Sequence, residues 1–85
     1  MAHNLLTAPI IDSKRILSLI PQKPPFVMVD TLFEYTNLTG ITGFEVPADN
    51  ILVKDGVFSE PGLIEHMAQS MSLHRGYHGF LAGLD

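Results

Sequence analysis

Ser59-Glu60-Pro61-Gly62-Leu63-Ile64-Glu65-His66-Met67-Ala68-Gln69-Ser70-Met71-Ser72-Leu73 is the stretch on which the fold turns. Ser59 can cap a helix, because its hydroxyl accepts from first-turn N–H groups that have no partner within the helix. Glu60 suits the positive end of the helix dipole, and Pro61 gives up an N–H that would go unused there. Leu63, Met67 and Met71 recur at i+4, Ile64 and Ala68 lie beside them, and Leu73 and Tyr77 carry apolar surface further round. The pattern predicts a long helix buried on more than one side, with the Met67–Met71 stripe in the core. Gly76, Gly79 and Gly83 weaken the tail, so its end is expected anywhere from His74 to Leu81.

Upstream of this helix the signals change from period 3.6 to period 2. Ile51-Leu52-Val53-Lys54-Asp55-Gly56-Val57-Phe58 is an apolar run folded about a Lys-Asp-Gly turn. Phe26 to Tyr35 is rich in β-branched and aromatic residues and predicts a strand. Ile41 to Val46 alternates apolar with polar and predicts a half-exposed partner, with Asn37-Leu38-Thr39-Gly40 as the turn between them. Gln22-Lys23-Pro24-Pro25 is a stiff extended or turn segment. Ahead of it, Asp12 or Ser13 can cap a short helix whose Ile16, Leu19 and Ile20 form one stripe, and Pro21 ends it. Residues 1–10 are expected to be a loose leader, closed by Pro9.

Composition narrows the classes. The chain has 85 residues, 46% of them hydrophobic and only 16% charged, too apolar for a disordered segment. A single domain of this size would be marginal alone, and with no cysteine there is no disulfide to compensate. Five Lys and Arg, scattered, against nine Asp and Glu give a net charge of −4 and argue against a nucleic-acid binder. No apolar run reaches the roughly 20 residues of a membrane span, and Met1 to Ile11 lacks a secretory pattern. A cytoplasmic protein that oligomerises or forms part of something larger is the expectation.

Glu65 is the most informative ionisable residue. It falls in the second turn of a largely apolar helix, where burial disfavours the charged form and readies a carboxyl for proton transfer, while the helix dipole favours the anion. The competing reading is an exposed glutamate on the helix edge. Gly62 stands where a ligand oxygen could approach free helix N–H groups, or where the backbone simply packs closely. Of the four histidines, His3, His66, His74 and His78, the pair His74 and His78 shares an i, i+4 face. Without a third ligand at a suitable spacing, no metal site is expected. His66 adjoins Glu65, but neighbouring side chains diverge by about 100° around a helix. No Ser-His-Asp arrangement and no phosphate-cradling glycine loop is present.

Together, two blocks resemble a known family. Ile16-Leu17-Ser18-Leu19-Ile20-Pro21-Gln22-Lys23-Pro24-Pro25-Phe26-Val27-Met28-Val29-Asp30 is similar to the opening of the β-hydroxyacyl-acyl-carrier-protein dehydratases, which reads Leu-Pro-His-Arg-x-Pro-Phe-Leu-Leu-Val-Asp. Pro61-Gly62-Leu63-Ile64-Glu65-His66-Met67-Ala68-Gln69 is similar to their central helix, with its Pro-Gly and its Glu-Ala-Met-Ala-Gln. Asp49-Asn50-Ile51-Leu52-Val53-Lys54-Asp55-Gly56 resembles the dehydratase-like branch of aryl polyene pathways. The likeness spans roughly residues 12–73.

The resemblance implies an α+β hotdog fold, in which an antiparallel sheet wraps a central helix and subunits pair as homodimers or heterodimers. It implies removal of water from a 3-hydroxyacyl thioester borne by an acyl carrier protein or coenzyme A, in fatty-acid or polyene-type synthesis, with neither metal nor organic cofactor. By motif position Glu65 takes the catalytic carboxylate role. Gly62 takes the place of the glycine whose N–H faces the thioester carbonyl. Gln69 is the helix position that meets the substrate site and orients the carboxylate.

The chain departs from the family in three ways. The family's catalytic histidine lies in a Gly-His-Phe-Pro-Gly-His-Pro loop before the helix, and here Val53-Lys54-Asp55-Gly56-Val57-Phe58-Ser59-Glu60-Pro61 has none. His66 is the nearest substitute. Gln22 and Lys23 stand where His-Arg is usual, and the step from Gly62 to Glu65 is short. The readings that follow are an active dehydratase, a non-catalytic hotdog subunit that pairs with an active one, or a hotdog thioesterase. Since strands normally follow the central helix, the chain is expected to be one hotdog domain, 1–85, truncated after that helix.

Overall fold

The computed structural model describes residues 3–83. The elements run α1 (Ser13–Leu19), β1 (Thr31–Tyr35), β2 (Gly40–Gly43), β3 (Val53–Lys54), β4 (Val57–Phe58) and α2 (Glu60–Leu81). Two helices and two small antiparallel pairs, β1–β2 and β3–β4, make an α+β arrangement.

Both helices start where their caps place them. The Asp12 side chain accepts from Lys14 N at 3.0 Å, and Ser59 Oγ accepts from Gly62 N at 3.4 Å. α1 stops at Ile20, whose extended backbone leads into Pro21. α2 runs through all its glycines to Leu81, the far end of the expected range. The β3–β4 turn places Asp55 at φ 54° and Gly56 at φ 76°. Two successive left-handed residues suit a tight hairpin, and Asp-Gly tolerates them at little steric cost.

Strand β1 pairs with β2 from Thr31↔Gly43 to Tyr35↔Gly40, with an irregularity between Leu32 and Glu34 that leaves Phe33 unpaired. The Phe33 ring lies over Gly43, so close that a Cβ there would stand 2.6 Å from it. The expected strand from Phe26 is shorter than its composition suggests: regular pairing begins only at Thr31. The other edge of β1 is taken by the stretch read as a loose leader. Leu5 N donates to Tyr35 O at 2.7 Å, and Ile10 exchanges bonds with Leu32 at 2.9 and 3.1 Å. Asn4 Oδ1 accepts from Tyr35 N at 2.9 Å, so residues 4–10 are tied to the sheet at both ends. Met1 and Ala2 lie outside the described residues.

The core forms where α1 and α2 meet β1: Ile10, Ile16, Ile20, Val29, Leu32, Tyr35, Leu73 and Tyr77. Each fully buried large apolar side chain stabilises by about 1.5–3 kcal/mol. α1 reaches α2 backbone to backbone, with the Leu19 carbonyl seated on Gly76. Arg15 closes the same junction, its guanidinium 5.9 Å from the Tyr77 ring centre and 5.2 Å from that of Phe80. Attraction of the cation to the ring faces adds to their packing.

α2 buries one of its apolar faces and leaves the other open. Gly62, Gln69, Leu73 and Tyr77 face inward. Leu63, Met67 and Met71, core-type positions that two strands alone are expected to leave poorly covered, are 51%, 66% and 71% exposed. The physical reason is angular. The two sets are centred about 125° apart around the helix at 100° per residue, and the described sheets and α1 cover only one of them. Among the described residues no helix is long and apolar enough to cross a membrane.

Tyr35 anchors this core with a titratable group. It is wholly buried, edge-on to Tyr77 at 4.8 Å between ring centres, and its hydroxyl lies 2.8 Å from His78 Nδ1. Burial, reinforced by Tyr77, pushes its phenol above the ordinary value of 10.0. A folded value above the unfolded one stabilises the chain fully below about pH 10, and that contribution is lost as pH rises through the folded value. Stability is therefore expected to fall more steeply above about pH 10 in the native chain than in Tyr35→Phe. Denaturant melts across alkaline pH read this, and parallel slopes in both proteins would refute it.

Candidate functional site

Residues Gly62, Glu65, His66 and Gln69 all project from the first turns of α2, but the structure gives them different work. Gln69 is the hub. It is fully buried, and its amide is used on both sides: Oε1 accepts from Met28 N at 2.6 Å, and Nε2 donates to Phe26 O at 2.9 Å and to Glu65 Oε1 at 3.0 Å. Both Nε2 hydrogens are thereby spent. Gln69 thus ties the Glu65 carboxylate to the 26–28 backbone.

Glu65 lies on the exposed side of α2, as the edge reading has it. It is not a free surface carboxylate, however. Oε1 accepts from the Gln69 amide, which is itself fixed to the 26–28 backbone.

His66 points to the other flank of Gln69. Its Nδ1 lies 2.6 Å from Met28 O. A carbonyl only accepts, so Nδ1 carries a proton and donates to it. The ring faces Phe44 at 6.3 Å between centres, at an angle of 21°. Glu65 and His66 thus share a helix turn but diverge around Gln69.

Gly62 is buried beneath the Phe58 ring, where a Cβ would stand 2.5 Å from the nearest ring carbon. Its N–H is directed at Ser59 Oγ. Close packing is therefore what this chain shows at Gly62. Phe58 also meets Phe44, 5.8 Å between ring centres, so Phe44, Phe58 and His66 form one aromatic wall beside the helix start. Sequence reasoning missed Phe44 and Met28 in this setting. Phe44 carried only the signal of an apolar position in an alternating strand, and Met28 contributes through its backbone, which leaves no mark on residue type.

His74 and His78 are both committed to the sheet. His74 Nε2 donates to Thr36 O at 2.8 Å, and His78 Nδ1 meets Tyr35 Oη. Among the described residues no group of three or more His, Cys, Asp or Glu side chains is placed to hold a metal ion.

A long capped helix carries Glu65 and Gln69 one turn apart, and the Pro-Pro-Phe segment is docked against it through the Phe26 carbonyl. The chain belongs to the ApeP-like family, described as ApeP dehydratase, whose model matches residues 14–85. The match bears out the resemblance to the dehydratase-like branch of aryl polyene pathways. No curated protein and no solved structure matches the chain.

Proposed function

We propose that this chain acts on, or binds, 3-hydroxyacyl thioesters as a hotdog-type dehydratase subunit, with Glu65 as its acid–base carboxylate. The thioester would be presented on an acyl carrier protein or coenzyme A. The observation that carries the reading is the Glu65–Gln69 bond, which fixes a carboxylate on the central helix with one oxygen unspent. In dehydration the C2–H and C3–O bonds break, C2=C3 forms and water leaves. One group takes the C2 proton, and another gives a proton to the departing hydroxyl. A carboxyl with a free oxygen suits either transfer once substrate excludes water from it. Gly62 would meet the thioester carbonyl only after the Phe58 ring moves off it.

The histidine of this chemistry would come from a second hotdog subunit, since His66 of the same chain diverges from Glu65. That geometry also favours a second reading, in which the chain completes an active dehydratase partner without turning over substrate itself. His66, bonded to Met28 O and flanked by Phe44, serves the scaffold in that case.

The test is hydration and dehydration of a 3-hydroxyacyl carrier thioester by the pure chain and by the chain with a complete dehydratase. Glu65→Ala is expected to lower the rate by about 10²–10⁴-fold. Undiminished turnover in Glu65→Ala would remove Glu65 from the chemistry. Silence of the pure chain, with activity restored by the partner regardless of Glu65, would select the second reading. Thioester hydrolysis without dehydration would point instead to a thioesterase.

A further inference from the structure

A cleft of about 340 Å³ opens between the β1–β2 turn and the middle of α2. Glu65 is not among its lining residues. Arg75, on its wall, is ten residues further along the helix, roughly 15 Å of rise. The cleft therefore stands apart from the role given to Glu65.

Its hydrogen-bonding capacity can be worked out donor by donor. Thr42 Oγ1 donates to Ser70 Oγ at 2.6 Å, and Ser70 Oγ donates to His66 O at 2.8 Å, so both hydroxyl protons on that wall are spent. His74 spends its Nε2 proton on Thr36 O. Thr36 Oγ1 already accepts from Leu38 N at 3.2 Å and Thr39 N at 2.9 Å, which fills its two lone pairs. Its own proton therefore goes to Thr39, whose Oγ1 lies 2.8 Å and whose carbonyl oxygen lies 3.4 Å away. The Thr39 proton is left over.

Two kinds of spare donor thus line the cleft, the Thr39 hydroxyl and the Arg75 guanidinium. Arg75 is the one cation among the lining residues, and no carboxylate is among them. In a chain of net charge −4 that is a local reversal of sign. Its apolar lining is exposed: Leu38 by 87% and Met71 by 71%. Gly40 keeps the floor low, since a Cβ there would stand 3.2 Å from the His74 ring.

We propose that this cleft binds a small carboxylate with a short aliphatic tail. A planar monoanion matches the fork of a single guanidinium, and the Thr39 hydroxyl completes the head contact. A phosphate dianion would lack a second cation and would leave Leu38 and Met71 without use. The tail lies along those two side chains.

Titration of the full chain with hexanoate, followed by nuclear magnetic resonance at Arg75, Thr39 and Leu38, tests this. Saturable shifts are expected with a dissociation constant of about 1 mM or tighter. Arg75→Gln is expected to weaken hexanoate about tenfold or more, the loss of one charge-assisted contact. Leu38→Ser, at an exposed position, is expected to weaken hexanoate while leaving acetate unchanged. Lys54→Gln, on the distant β3–β4 turn, is expected to change neither. Hexanoate shifts indifferent to Arg75→Gln, inorganic phosphate binding as tightly as hexanoate, or no saturation at all would each overturn the assignment. None of these outcomes bears on the Glu65 assay.

Discussion

Gly76→Val is expected to separate α1 from α2 and to cost about 3 kcal/mol or more, the upper end of overpacking effects. At Gly76 a Cβ would fall on the Leu19 carbonyl oxygen and stand 2.8 Å from the carbonyl carbon. A colliding side chain can change rotamer, but here the obstacle is backbone at the end of a helix, so α1 must move as a body. With it go the contacts of Ile16 and Ile20 with Leu73 and Tyr77, and the seat of Arg15 on Tyr77 and Phe80. Gly76→Ala meets the same oxygen and is expected to follow in the same direction. Met67→Ala, on the exposed face, is expected to stay within about 0.5 kcal/mol. Denaturant unfolding with tyrosine fluorescence reads all three. A Gly76→Val protein as stable as Met67→Ala would show that α1 is not seated on α2.

Gln69→Leu is the second large effect. The substitution keeps the bulk and removes every polar contact of a fully buried side chain. Met28 N loses its acceptor in the interior, Phe26 O loses its donor, and Glu65 Oε1 is released. An orphaned buried group costs about 1–3 kcal/mol, so the sum is expected at about 2–4 kcal/mol. Gln69→Glu retains an acceptor for Met28 N but sets a carboxylate against Glu65 and against the Phe26 carbonyl. Activity, where present, is expected to fall in both variants. A Gln69→Leu chain of native stability would show that the 26–28 segment is held by something other than the amide.

What could be read from sequence was what local chemistry writes. Asp12 and Ser59 cap because a short oxygen-bearing side chain precedes a periodic run, and Asp55-Gly56 turns because those residues accept positive φ. The motif of Glu65 and Gln69 was likewise legible, since i and i+4 meet on a helix whatever surrounds it. The misses share one cause, which is partners distant in sequence. Phe26 to Asp30 has strand composition, yet the bonds of its Phe26 and Met28 carbonyls and of its Met28 N–H go to side chains of α2. Residues 4–10 carry no strand signal and still pair with β1, because β1 has an edge to offer. α2 has two apolar faces, and periodicity alone does not say which one the rest of the chain covers.

The docking of the 26–28 segment also has a kinetic side. Its bonds to α2 span 41 residues between Met28 and Gln69, and 43 between Phe26 and Gln69. The tyrosine–histidine contact from β1 to the last turns of α2 spans 43 as well. Helix turns and the two hairpins can form within their own neighbourhoods in microseconds, but these contacts must first close a long loop. Gln69 is therefore a late-closing clasp. Its local bond to Glu65 gains a fixed frame only through the long-range bonds to Phe26 and Met28.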